Sequence, residues 1–259
     1  MPILDRMEHL SRRDFLTRAG LAGAVVLGAS AAGTATPAEA APGTEARRFT
    51  IGKSRVGRPI HAYRIGDPEA DNRYLVMGQM HGDEPAGPMV VNRLLKAEPL
   101  NNVALWLVPT MNPDGGHRGT RTNAKGVDLN RNFPSSTWVK QGKGTRYWSG
   151  PRPASEPETR AIVRFFSRVQ PRTLISLHQP LASVDFSGGD KEVTRWLSRH
   201  LGLPKSHIHI SGGGTMTSWF NAEFRKKTAV TVELPPSTSV QYRQRVADGL
   251  LRHARHRRV

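Results

Sequence analysis

The chain of 259 residues contains no cysteine. That absence excludes disulfides, thiolate zinc sites, iron–sulfur clusters and cysteine nucleophiles, so any metal must be held by histidine and carboxylate. Acidic residues are scarce beside basic ones, 21 Asp and Glu against 38 Lys and Arg, which leaves a formal net charge of +17. A surface of that sign attracts polyanions through its summed field; nucleic acid, anionic lipid and an acidic cell envelope all fit. Strongly apolar runs of spanning length are lacking too. The weakly apolar stretch from Ala19 to Gly33 is about fifteen residues rich in Gly and Ala, whereas a membrane-spanning helix needs roughly 20 strongly apolar ones. No internal repeat is present, and the length suits one ordinary domain with a sizeable core.

The first forty residues read as an address. A charged stretch containing Ser11, Arg12, Arg13, Asp14, Phe15 and Leu16 precedes the weakly apolar run, and Ala38, Glu39 and Ala40 stand before Ala41. Paired arginines in this setting resemble a twin-arginine signal. The expectation is therefore a signal peptide over 1–40 that is cleaved, an exported protein and no transmembrane span in the mature form; the alternative is a retained N-terminal anchor. Residues 1–40 carry four arginines and four acidic residues, so the +17 belongs to what remains. Residues 41–48 have linker composition, which leaves 49–259 as the working domain.

After the linker, apolar runs of strand length alternate with segments of helical period. Arg73–Gly78, Val103–Pro109, Thr173–His178 and Thr228–Glu233 are rich in Val, Ile, Leu and aromatics, as strands buried on both faces are. Ile60–Ile65 is also strand-like. The clearest helical segment has Ser155 with Glu158 as a capping box before Ile162, Phe165, Phe166 and Val169. Pro171 closes that helix, and further helices are expected over 84–97, 190–201, 215–226 and 239–256. The alternation predicts an α/β fold: one domain with a mostly parallel mixed sheet and helices on both faces. Residues 110–153 carry Gly, Pro, Asn and Arg with little periodicity, and a long irregular stretch in a compact domain is usually functional or disordered. The basic tail Arg252–Arg258 reads as a solvated helix end.

Chemistry concentrates where strands end. Strand Arg73–Gly78 runs into Gln79-Met80-His81-Gly82-Asp83-Glu84, and the carboxyl ends of strands in an open α/β sheet face the ligand crevice. His81 and Glu84 can reach one cation from such a turn. His178 ends another strand and is the candidate for a third ligand. Two imidazoles and one carboxylate form the ligand set of catalytic zinc, which keeps a position open for water and suits zinc among the available metals. Glu233 ends the apolar strand Ala229–Val232, where a carboxylate is costly unless paired or functional. It is placed to move protons between water and a leaving amine; the plain alternative is a salt bridge to one of the many arginines. His61, His207 and His209 read as strand histidines, and the remaining histidines sit in polar or basic runs. The irregular segment supplies arginines suited to stabilising an oxyanion or clamping a carboxylate, without indicating which does which.

His81-x-x-Glu84, Asn112-Pro113-Asp114-Gly115, Asp128-Leu129-Asn130-Arg131-Asn132-Phe133, His178 and Glu233, in this order, resemble the zinc carboxypeptidase family of metallopeptidases. The resemblance spans residues 74–234. It implies one zinc ion on His81, Glu84 and His178, with Glu233 as general base and acid. It further implies Arg121 as polariser of the scissile carbonyl, Arg118 being the competing choice, and Asn130 with Arg131 as holders of a terminal carboxylate. Ser155-Glu156-Pro157-Glu158-Thr159 and Ser176-Leu177-His178-Gln179-Pro180-Leu181-Ala182 look most like the bacterial murein peptide amidases within that family. Those cut the γ-D-glutamyl–diaminopimelate amide of peptidoglycan-derived peptides. One feature departs from the family: its carboxypeptidases carry a mobile Tyr before the catalytic Glu, whereas the tyrosines here are 63, 74, 147 and 242.

The expectation is an exported zinc amide hydrolase acting on murein-derived peptides and held by charge at an anionic envelope, extracellular, periplasmic or wall-associated, with no specific nucleic-acid partner. Its rivals are a general zinc carboxypeptidase, a deacylase of the succinylglutamate desuccinylase and aspartoacylase type, and a catalytically inactive basic binding module. Asn112-Pro113-Asp114-Gly115 and the placement of Glu233 favour peptidases over deacylases.

Overall fold

Four apolar runs of the sequence become the parallel centre of a single sheet. In the computed structural model, which describes residues 46–208 and 213–256, these are β3 (Arg73–Gln79), β4 (Ala104–Thr110), β5 (Thr173–His178) and β8 (Thr228–Glu233). They lie in the order β4-β3-β5-β8 with every neighbouring pair parallel. The sheet is completed on one side by β1 (Arg47–Lys53) and β2 (Pro59–Gly66), an antiparallel pair added to β4. On the other side lie β6 (Ser183–Asp185), antiparallel to β8, and β7 (Lys205–Ser206). The sheet is mixed with a parallel centre, as expected from the sequence, while the edge strands β1, β6 and β7 are additions the apolar runs did not indicate; the residues described belong to the unit Ala41–Val259.

Side-chain alternation along the central strands splits the core into two layers. Tyr74, Val76, Ile175, Leu177, Val230 and Val232 face one cluster with α1 (Ala86–Leu94), α4 (Lys191–Leu201) and α6 (Val240–His256). The opposite face carries an aromatic relay against α3 (Pro157–Val169) and α5 (Met216–Glu223). Phe49 meets Trp106 at 5.3 Å, Trp106 meets Phe165 at 5.5 Å, and Phe166 meets Phe220 at 5.6 Å between ring centroids. Helices therefore cover both faces.

Several boundaries differ from the sequence reading for identifiable reasons. Strand pairing reaches Arg47 inside the stretch 41–48, because backbone bonding to Arg64 is indifferent to the linker-like side chains. The signal peptide expected over 1–40 lies outside the described residues, as does His209. Glu158 forms no capping box with Ser155. Pro157 starts the helix and Glu156 is its N-cap, while the Glu158 carboxylate turns inward to accept from the Arg55 N–H at 2.7 Å. Helix α1 opens at Ala86, two residues past Glu84, with Pro85 at its N-cap. His253, expected in a solvated tail, is buried and bonded to the Tyr74 hydroxyl at 2.9 Å.

The segment 110–153 contains α2 (Pro113–Arg118), capped by the Asn112 side chain, and a 3-10 turn at Leu129–Arg131. Its order comes from buried polar side chains. Asn123 donates to Glu156 at 3.0 Å and Glu158 at 3.3 Å, and its oxygen accepts from the N–H groups of Lys125 and Val127. This network packs the irregular chain beside the carboxyl edge of the sheet.

Candidate active site

Register alone brings the strand-end residues together. In the parallel pairing of β5 and β8, His178 stands opposite Glu233, and β3 ends at Gln79, two residues before His81. The turn that follows is closed by the Glu84 N–H donating to the His81 carbonyl at 3.2 Å. Gly82 lets this turn lie directly on α2: a Cβ there would stand 1.9 Å from the Gly115 carbonyl carbon. Asn112 joins the two segments by donating to the carbonyls of Met80 and Arg121 at 3.0 and 3.3 Å. The Asn-Pro-Asp-Gly stretch is thus the bed on which the His81–Glu84 turn rests.

His81, Glu84 and His178 are buried, and their candidate ligand atoms all lie within 4.8 Å of one another. The two carboxylate oxygens of Glu84 divide between the imidazoles: Oε1 is 2.6 Å from His81 Nδ1, and Oε2 is 3.0 Å from His178 Nδ1. Burial works to raise the Glu84 pKa, yet the positive character of His178 and His81 and their hydrogen bonds outweigh it and hold the carboxyl at about 2. Burial likewise disfavours charge on His81, and the facing carboxylates of Glu84 and Asp128 overcome it and raise its pKa. Such a donor set fits a divalent cation of borderline softness, which would take the place of the protons shared among these groups.

Behind His81 lies a residue to which the sequence reading gave no role. Asp128 is fully buried and accepts from His81 Nε2 at 3.1 Å, which fixes the tautomer and directs Nδ1 toward Glu84. Its other oxygen accepts from Arg121 Nε and Nη2 at 3.1 and 2.9 Å. Burial opposes the charge on Asp128, but the His81 hydrogen bond and the surrounding cations keep the carboxyl far below the ordinary range. Held in this way, Arg121 aims Nη1 at the cluster, 3.2 Å from His81 Nδ1 and 3.7 Å from Glu84 Oε1. Arg118, its rival by sequence, is exposed at the end of α2.

Asn130 and Arg131 follow from the same aspartate, whose Oδ1 accepts the Asn130 N–H and caps the 3-10 turn. The Asn130 side-chain oxygen accepts from the Met216 N–H at 3.0 Å, which leaves the amide nitrogen end for a ligand. Arg131 is buried, with Nη1 donating to the Asn130 carbonyl at 2.9 Å. Tyr147, one of the four tyrosines and without a role by sequence, lies across both guanidiniums, its ring centroid 5.5 Å from Arg121 Cζ and 5.0 Å from Arg131 Cζ.

Glu233 is buried. Burial raises its pKa, the charge of His178 pulls it down, and Glu84 pushes it up again, with a net upward shift. Gln179 ties three site segments together. Its oxygen accepts from the Ala86 N–H at 2.9 Å, and its nitrogen donates to the carbonyls of Pro235 and Pro236. Glu84, His178 and Glu233 each lie within two residues of one of these contacts. Of the other histidines considered, His61 is half-buried beside Thr50 and His207 is exposed beside Phe186.

Because Asp128 orients His81 through a charged hydrogen bond, Asp128→Asn preserves shape but removes the charge. Competition with a fluorescent chelator is expected to show zinc affinity weakened about 10- to 100-fold with the fold retained. Unchanged affinity would contradict the orienting role.

Comparison with known proteins identifies the family. Residues 38–195 match the zinc carboxypeptidase family; the matched stretch contains His81, Glu84, Arg121, Asn130, Arg131 and His178, and Glu233 lies beyond it. The chain is 32% identical to murein peptide amidase A of Vibrio campbellii over 212 residues, covering 75% of this chain and 84% of that protein. It is 31% identical to murein peptide amidase A of Escherichia coli K12 over 211 residues, covering 76% and 84%. The structure of murein-tripeptide amidase MpaA from Escherichia coli O157 superposes with a TM-score of 0.69 at 28% identity, covering 82% of this chain and 93% of that one. Carboxypeptidase A from Helicoverpa armigera shares the fold at 17% identity, with a TM-score of 0.68, covering 83% of this chain and 69% of that one. The chain is therefore a hydrolase belonging to the zinc carboxypeptidase family.

Proposed function

We propose that this chain is a zinc-dependent amidase that hydrolyses murein peptides at the γ-D-glutamyl–diaminopimelate bond. The observation that carries the reading is the convergence of His81, Glu84 and His178 with Glu233 in register beside His178. The choice of substrate is supported by the murein peptide amidases that the chain resembles over most of their length.

His81, Glu84 and His178 would hold the zinc ion. When bound, it supplies Lewis acidity, polarising a carbonyl and making water acidic near neutral pH. Glu233, whose carboxylate burial makes more basic, takes the proton of the attacking water and delivers it to the departing nitrogen. Arg121 needs no reorganisation to meet negative charge at the carbonyl oxygen, since Asp128 already holds two of its nitrogens. Arg131 and the free amide end of Asn130 hold a carboxylate of the substrate, which diaminopimelate offers.

The proposal extends to location. Residues 1–40 act as a cleaved twin-arginine signal, and the +17 of the remaining chain holds the enzyme at an anionic envelope outside the cytoplasm. Among the described residues, no helix is long and apolar enough to cross a membrane. Release from isolated cell walls is expected to rise steeply over about a few tenths molar salt; retention independent of salt would sink the envelope-binding part.

The reaction itself is tested by mass-spectrometric product analysis. The zinc-loaded enzyme is incubated with L-Ala-γ-D-Glu-diaminopimelate beside an ordinary L-peptide. Free diaminopimelate is expected from the wild type, with Glu233→Gln slower by about a hundredfold to ten-thousandfold. Trimming of the L-peptide alone would overturn the murein reading in favour of a general carboxypeptidase.

A further inference from the structure

We infer that Tyr147 is a specificity-determining residue of this enzyme, forming the wall of the carboxylate-binding site against which the substrate's terminal residue packs. The inference rests on the murein amidase reading and concerns a residue from a segment that carries none of the family motifs.

The two guanidiniums of Arg121 and Arg131 each meet the same two unlike groups. On the buried side is Asp128, bonded to Arg121 through two nitrogens and 4.0 Å from Arg131 Nη1. The exposed partner is Tyr147, 38% exposed, with its ring centroid 5.5 and 5.0 Å from the two Cζ atoms. An aromatic face is electron-rich and its edge is electron-poor. A carboxylate is repelled by the ring face, so the edge and the hydroxyl are the parts of Tyr147 that can meet an anion.

Tyr147 is held in place by its neighbour. Trp148 is buried, and its carbonyl accepts from the Asp128 N–H at 2.8 Å. The backbone one residue from Tyr147 is therefore fixed to the same aspartate that orients His81 and Arg121. The charge of the segment favours an anionic occupant. No acidic residue occurs between Asp128 and Glu156, whereas Lys140, Lys143 and Arg146 are exposed in the same loop. A substrate bearing more than one carboxylate is drawn to this side, and Tyr147 stands where its carboxylate meets the arginines. A wall of this kind acts on ground state and transition state alike, so its loss appears in KM with little change in kcat.

The test measures binding and turnover separately. Isothermal titration of the tripeptide L-Ala-γ-D-Glu-diaminopimelate into zinc-loaded Glu233→Gln enzyme gives a dissociation constant without turnover. Adding Tyr147→Ala is expected to weaken binding about tenfold, and Tyr147→Phe to restore most of it. In the otherwise unaltered enzyme, Tyr147→Ala is expected to raise KM by a similar factor while kcat and zinc content hold. Equal affinity of the Tyr147→Ala and parent proteins would overturn the inference, as would a fall in kcat with KM unchanged. Absence of tripeptide binding or cleavage by proteins with Tyr147 intact would instead overturn the functional reading on which it rests.

Discussion

The charge on Asp128 organises the site. A carboxylate with no solvent contact is strongly disfavoured unless its oxygens are occupied, and here each is. Oδ1 accepts from His81 Nε2 and the Asn130 N–H, and Oδ2 accepts from Arg121 through two nitrogens. These bonds keep the group ionised, and the ionised group in turn dictates where each donor sits. One residue thereby sets the tautomer of His81, the aim of Arg121 and the start of the turn that carries Asn130 and Arg131. The folding cost of burying that charge is offset only while the donors stay in place, which makes the arrangement rigid before substrate arrives.

The sheet supplies the rest of the geometry. Parallel strands deliver their carboxyl ends to one edge, so His178 and Glu233 need only adjacent register to become neighbours. Their third companion, Glu84, arrives on the turn after β3, pressed onto α2 where Gly82 and Gly115 meet. Gln179 then joins the helix after Glu84 to the loop after Glu233. The candidate active site is thus a seam of strand ends, locked by polar side chains that approach from the irregular segment.

Much of this was legible in the sequence, for local reasons. The central strands are apolar on both faces, and a histidine or glutamate ending such a run has few reasons to be there other than chemistry. Arg121 could not be told from Arg118 by spacing, because the choice is made by contact with Asp128. The role of Asp128 is invisible by sequence, since its partner His81 is distant in the chain. Tyr147 carries no periodic signal; only the fold lays it across two arginines. The capping box failed because Pro157 fixes the helix start and Glu158 answers a buried demand from Arg55 and Asn123. His253 looked solvated because it lies in a basic run, yet helical period turns it inward to Tyr74.

The central claim is that Glu84, His178 and His81, the last oriented by Asp128, form the seat of one zinc ion. It is tested most directly by an anomalous difference map, recorded at the zinc edge from crystals of the zinc-loaded protein. The account predicts a single strong peak per chain, bounded by the Nδ1 atoms of His81 and His178 and the carboxylate of Glu84. A featureless map at that position, or zinc held instead by other histidines, would contradict it.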